Sequence, residues 1–204
     1  MARLRRVSPP EPTMNLLLDI LQAAGVAAAI GVRPFLPALV VGVLAAANLG
    51  VDFDGTSFAF LESPVWIAAM AVLLVASLVG RKALEAGTAA QAMTAVGAVL
   101  AALEFAGQLD DRFDVWWPGL VAGPLLAVLA TLAASGLFGR VRARLDTATA
   151  STLPLYAEAI ALALAGLSVA APPVGLVGVG LCVFLLRGGK RREGEKYAGL
   201  RILR

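Results

Sequence analysis

Seven apolar stretches, at residues 14–31, 34–50, 64–80, 88–107, 117–138, 152–170 and 174–187, alternate with short segments that carry most of the charge. A helix of about seventeen residues rises roughly 26 Å, so most of these stretches are just long enough to cross the hydrocarbon of a bilayer. The pattern predicts an all-α membrane protein. Basic residues cluster at Arg3, Arg5 and Arg6, at Arg81 and Lys82, at Arg140, Arg142 and Arg144, and at Lys190, Arg191 and Arg192. Acidic residues cluster at Asp52, Asp54 and Glu62 and at Asp110, Asp111 and Asp114. Because cytoplasmic loops retain lysine and arginine, the basic clusters are expected inside and the acidic ones outside. That order fits about six crossings in three consecutive hairpins, with both termini cytoplasmic, provided residues 14–31 do not cross. These residues are then expected to form a re-entrant or interfacial helix. The organisation reads as a basic arm at 1–13, a transmembrane helical region at 14–187 and a basic tail at 188–204.

Segment 14–31 carries Asn15, Asp19 and Gln22 at spacing i, i+4, i+7, a polar stripe on one face of an otherwise apolar helix. The stripe faces either water at the membrane surface or a cavity within the bundle. The segment ends in GVRPFLP, residues 31–37. Proline is tolerated at the start of a helix, where its missing N–H would be unpaired, so Pro34 is expected to open the next helix after a turn at Gly31.

Composition supports the membrane reading. The chain is 59% hydrophobic and 15% charged, whereas a soluble domain carries roughly a quarter of its residues as charges. The net charge of +3 comes from clusters beside apolar runs, which argues for membrane orientation and against nucleic-acid binding. There is no histidine and one cysteine, Cys182, so the usual nitrogen and sulfur ligands for zinc or copper are missing and no intrachain disulfide can form. No metal, cofactor or catalytic residue is expected. The arginines ahead of the first apolar stretch imitate a signal peptide, but Asp19 and Gln22 inside that stretch argue against cleavage.

Ionisable groups within apolar segments are costly and therefore informative. They are Asp19, Arg33, Glu104 and Glu158. Arg33 and Glu158 both fall near the basic ends of their segments and are expected to meet, with Asp19 and Gln22 joining them if the first segment dips inward. These four residues form the candidate substrate site. The simpler role for Arg33 is to extend its long side chain to cytoplasmic headgroups. Glu104, Gln108 and Asp111, again spaced i, i+4, i+7, form a second polar cluster near the outer end, where water is expected to solvate them.

Two other patterns are less specific. VDFDGTS at 51–57 resembles the first motif of the haloacid-dehalogenase phosphatases, but it follows an apolar helix and lacks the α/β surroundings that this chemistry needs, so it reads as coincidence. Gly42, Ala46 and Gly50, and Gly119 and Gly123, give small-residue faces suited to close helix packing, within the chain or in a homo-oligomer.

The stretches GVRPFLPALVVGVLA, FLESPVWIAAMAVLL and LEFAGQLDDRFDVWWPGLVAGPLLAVLATLA together resemble the bacterial membrane family called domain of unknown function 4126. The matching features are Gly31 ahead of a first crossing, the run from Phe60 to Pro64, the pair Glu104 and Phe105, and Asp110, Asp114 and Trp116. Asp111 and Arg112 stand where that family usually has a lysine-proline pair. The resemblance implies a multi-pass bacterial protein and brings no particular activity. Two functions fit. One is a small permease or lipid translocator with a polar intramembrane site, taking membrane lipid or another anionic group as partner. The other is a membrane scaffold in which the same charges form static pairs. A hydrated cavity reaching Glu158 favours the first, and a dry packed pair favours the second.

Overall fold

Prolines and short polar caps set where the helices begin. After a 3-10 turn at Ala59–Glu62, the Ser63 hydroxyl accepts the Trp66 N–H at 3.2 Å and Pro64 occupies the first helical position, so Phe60 to Pro64 is a helix-start device. The computed structural model describes residues 12–80, 84 and 87–198, and these are helical without any strand. The longer helices are α1 (Pro12–Val32), α2 (Phe35–Ala46), α3 (Pro64–Val79), α4 (Gly87–Phe113), α5 (Trp117–Arg142), α6 (Leu153–Ala170) and α7 (Pro173–Ala198).

Helix α1 is the centre of the bundle, where α4, α5, α6 and α7 all pack against it. Ala23, Val26, Ala27, Ala28, Ala29 and Ile30 have no exposed surface. The helix expected to be re-entrant or interfacial is continuous over 21 residues, exposed at Leu16, Leu17 and Ile20 near its start and enclosed from Ala23 to Ile30. Its interior face is made of alanine and glycine, and that lets neighbouring backbones approach. A Cβ at Gly31 would overlap the Ala127 carbonyl on α5, and one at Gly25 would press on the Gly175 backbone of α7.

Contacts along the chain fix the direction of each helix. Gly97 of α4 lies against Ile30 and Pro34, and Gly175 near the start of α7 lies against Leu21. Val169 at the end of α6 lies beside Gly50, and Gly50 is tied to Gln22. Successive helices therefore alternate in direction. One end of the bundle carries Arg33, Arg140, Arg142 and Arg144, and the other carries Asp19, Asp52, Asp110 and Asp111. The start of α1 lies at the acidic end and α7 runs toward the basic end. Arg3, Arg5, Arg6, Arg81 and Lys82 lie outside the described residues. Helix α7 continues to Ala198.

Large apolar side chains cover the exterior. Val65 is 80% exposed, Val79 83%, Leu125 67% and Phe184 70%, far more contiguous apolar surface than a water-facing helical bundle presents. Gly87–Phe113, Trp117–Arg142 and Ala148–Ala170 are long and apolar enough to cross a membrane, and the remaining apolar helices are shorter.

Candidate functional site

At the basic end, α1 stops because Pro34 cannot supply the amide that would bond the Ile30 carbonyl. The Arg33 N–H still closes on the Ala29 carbonyl at 3.1 Å, and the chain then turns back into α2. Thr131 of α5 pins this turn, sharing its hydroxyl proton between the Gly31 carbonyl at 2.7 Å and the Ala127 carbonyl at 2.9 Å. Glu158, in the second turn of α6, faces Arg33, with Nε to Oε1 at 3.6 Å. That distance is longer than a charge-assisted hydrogen bond, and the other carboxylate oxygen, Oε2, is buried without a partner.

Two open cavities flank the pair. One, of about 330 Å³, includes Arg33, Glu158, Gln91, Thr94, Thr131 and Ser135 in its wall. The other, of about 270 Å³, shares Arg33, Thr131 and Ser135 and reaches Arg142. Arg33 thus stands between two mainly apolar concave spaces, each with a few hydroxyl groups and the first with one side-chain amide, Gln91. The sequence reading anticipated Arg33 and Glu158 but missed Gln91, Thr94, Thr131 and Ser135. Their i, i+3 and i, i+4 spacing within apolar helices was the available signal.

Asp19 and Gln22 do not join this site, which corrects the expected four-residue cluster. Fourteen residues of helix separate Asp19 from Arg33, roughly 21 Å along the axis. Gln22 Nε2 instead donates to the Gly50 carbonyl at 2.9 Å, and Gly50 presents that carbonyl from a left-handed conformation, φ +79°. Asp19 and Gln22 line a cavity of about 10 Å³ with Asp52, Gln108, Asp111 and Arg112. Arg112 is paired with its neighbour Asp111, Nε to Oδ2 at 3.1 Å.

Beneath this mouth the expected solvation of the second cluster fails. Glu104 is 0% exposed and Gln108 5%, and all four of their side-chain polar atoms are without a hydrogen-bond partner. The loop at 51–58 is the reason, because the Phe53 ring is fully buried and packs on Gly107, closing the acidic end above α4. VDFDGTS is therefore a plug. The Asp54 N–H donates to Asp52 Oδ1 at 2.9 Å, the Phe53 N–H to Glu62 Oε2 at 3.2 Å, and the Ser57 N–H to Asp110 Oδ2 at 3.2 Å. Burial raises the Glu62 carboxyl above its ordinary range; the Phe53 N–H opposes this, and Asp54 and Asp52 add to it.

Asp52, Asp54 and Glu62 place carboxylate oxygens within 4.8 Å of one another, the one grouping among the described residues with the proximity a metal would need. Asp52 and Glu62 already accept backbone N–H groups and Asp54 is exposed, so the cluster is accounted for as loop structure. The Gly119 and Gly123 face of α5 is covered by α4, because a Cβ at Gly123 would overlap the Ala101 carbonyl, so this face serves packing within the chain.

Neither a curated protein nor a solved structure matches this chain. The residues whose spacing resembled a family lie at structural joints of the bundle: Gly31 at the α1–α5 crossing, Ser63 and Pro64 at the start of α3, Glu104 in the interior, and Asp110 holding the plug. Asp114, at φ +52°, ends α4. The sequence model for the domain of unknown function DUF4126 matches residues 20–190, which is most of the chain, and the protein belongs to that family.

Proposed function

We propose that the chain is a multi-pass permease or lipid translocator of the bacterial inner membrane that binds an anionic group beside Arg33. The observation that carries this reading is the cavity of about 330 Å³ that reaches both Arg33 and Glu158. A scaffold with a static ion pair has no use for that space. The pair is loose and partly exposed, with side-chain exposures of 27% and 13%, so an incoming phosphate or carboxylate can take the place of Glu158 on the guanidinium. Arg33 adjoins the start of α2, where the helix dipole adds partial positive charge. Gln91, Thr94, Thr131 and Ser135 supply neutral hydrogen-bonding groups around it.

In this reading α1 is a crossing helix and successive helices alternate in direction across the membrane. The basic end, with Arg140, Arg142 and Arg144, is cytoplasmic, and the acidic end with its Phe53 plug faces outward. The start of α1 is then outside and the end of α7 inside.

Native mass spectrometry of the full chain with phosphatidylglycerol and with phosphatidylcholine tests the site. Wild type should retain the anionic lipid preferentially, Arg33→Lys less, because lysine offers a point charge in place of a planar fork, and Arg33→Gln least. Equal retention by wild type and Arg33→Gln would reduce Arg33 to a topology anchor. A single cysteine at position 135 that does not react with a water-soluble reagent would favour the scaffold.

A further inference from the structure

Glu104 is a carboxyl in the middle of α4, fully enclosed, with neither oxygen bonded to any group of the protein. An ionised carboxylate held this way costs several kcal/mol, and buried charges are ordinarily paired or bound to a metal. The surrounding elements bring no such partner. Helix α4 packs against α1, α5 and α2 and beneath the loop carrying Phe53. The charged groups on these elements are Asp19 on α1, Asp52 and Asp54 in the loop, Glu62 beyond it, and Asp110, Asp111 and Arg112 at the end of α4 itself. Arg33, Arg140 and Arg142 are at the opposite end of the bundle. None of these groups is in hydrogen-bonding contact with the Glu104 carboxyl.

One turn along the same face stands Gln108, 5% exposed and with both amide atoms unpartnered. Gln108 in turn lines the cavity of about 10 Å³ at the acidic end, room for about one water, beside Asp19, Asp52 and Asp111. The three side chains at positions 104, 108 and 111 therefore make a ladder from the enclosed carboxyl to an acidic mouth. We propose that Glu104 is a proton-binding site, loaded from the acidic mouth by way of Gln108. The ligand is a proton and not a metal ion, because a hard cation needs a shell of oxygen ligands and, among the described residues, Glu104 is in no cluster of three carboxylates close enough to hold one. Binding converts the carboxylate to a neutral acid, and the amide of Gln108, both donor and acceptor, is suited to pass a proton to or from it. The site lies far from Arg33 and stands whether or not that groove binds an anion.

Infrared difference spectroscopy of the full-length protein in phosphatidylglycerol and phosphatidylcholine vesicles tests the inference directly. A neutral-acid carbonyl band should persist at pH 7, vanish in Glu104→Gln and titrate away only in alkaline buffer. Gln108→Leu should slow the deuterium exchange of that band by at least tenfold, which tests the route. Dicyclohexylcarbodiimide, which adds to protonated carboxyls in apolar surroundings, should label Glu104 at pH 7, with labelling falling as pH rises and sodium giving no protection. A Glu104 that is ionised at pH 7, or one protected from labelling by sodium, would overturn the proton site. Unchanged exchange in Gln108→Leu would overturn the route. The wild-type titration decides the first point even if Glu104→Gln folds poorly.

Discussion

Gln22 Nε2 donates to the carbonyl oxygen of Gly50 at 2.9 Å, tying the central helix to the loop that follows α2 across 28 residues of chain. This bond holds the acidic end together, since Gly50 leads directly into the Phe53 plug. Gln22→Leu would leave the Gly50 carbonyl without its donor and should cost about 1–3 kcal/mol. The check is thermal unfolding in detergent, together with thiol labelling of a cysteine placed at the buried position 51, which leaves Phe53 in place, after Cys182 is replaced. Labelling should speed up in the Gln22→Leu background, and unchanged protection would show that the plug is held without Gln22.

The Arg33–Glu158 contact predicts a coupling energy. A fully buried pair loses about 3–5 kcal/mol when one partner is removed, whereas exposed pairs are worth about 1 kcal/mol or less. At 27% and 13% side-chain exposure and 3.6 Å, this pair falls between these limits. A double-mutant cycle with Arg33→Met and Glu158→Gln should give coupling of roughly 1–2 kcal/mol. Additive losses would mean that the two side chains do not meet in solution.

Glycine at helix crossings predicts a contrast within α5. A Cβ at Gly123 would run into the α4 backbone, while one at Gly139 meets nothing within 4 Å. Gly123→Ala should destabilise by about 1–3 kcal/mol, because two backbones must move apart. Gly139→Ala should be neutral or stabilising by up to about 1 kcal/mol through helix propensity alone. Comparable melting temperatures for the two variants would contradict the α4–α5 packing.

The alternating helices predict sidedness. With Cys182 replaced, single cysteines at positions 13, 54 and 111 should react with an impermeant reagent from outside the cell, and one at 142 should not. Protection of position 13 together with labelling of 54 would place the start of α1 on the opposite side from the acidic loops and remove it as a crossing helix.

The Glu62 carboxyl gives the plug a pH dependence. Because its acid form is favoured in the fold relative to the unfolded chain, the folded loop binds more protons between the two pKa values, and stability falls as pH rises through that window. The loop should be tighter in mild acid, seen as slower thiol labelling at position 51 with Cys182 replaced, after correction for thiolate fraction by a small free thiol labelled in parallel, and Glu62→Gln should flatten the dependence. A loop that loosens on acidification would show that the ionised form is the one the fold prefers.

The sequence alone determined that the chain is helical and apolar, where its helices break, and that Arg33 and Glu158 stand at the same end. Each of these follows from local spacing, because proline, glycine and charge act within a turn or two of where they sit. The stripe of Asp19 and Gln22 was legible as a face, and so was the ladder of Glu104, Gln108 and Asp111. What covers each face was not, because periodicity shows which residues share a side but not which neighbour packs there. Only the tertiary structure put α1 at the centre, although its run AAGVAAAIG at 23–31 has no polar face, as suits a helix enclosed all round. Lipid-facing and interior surfaces of a membrane bundle are both apolar, so hydropathy could not separate the α1 interior from the exposed valines of α3. The same limit hid the Phe53 plug, which removes water from Glu104 by a contact between residues 53 and 107 that no local pattern encodes.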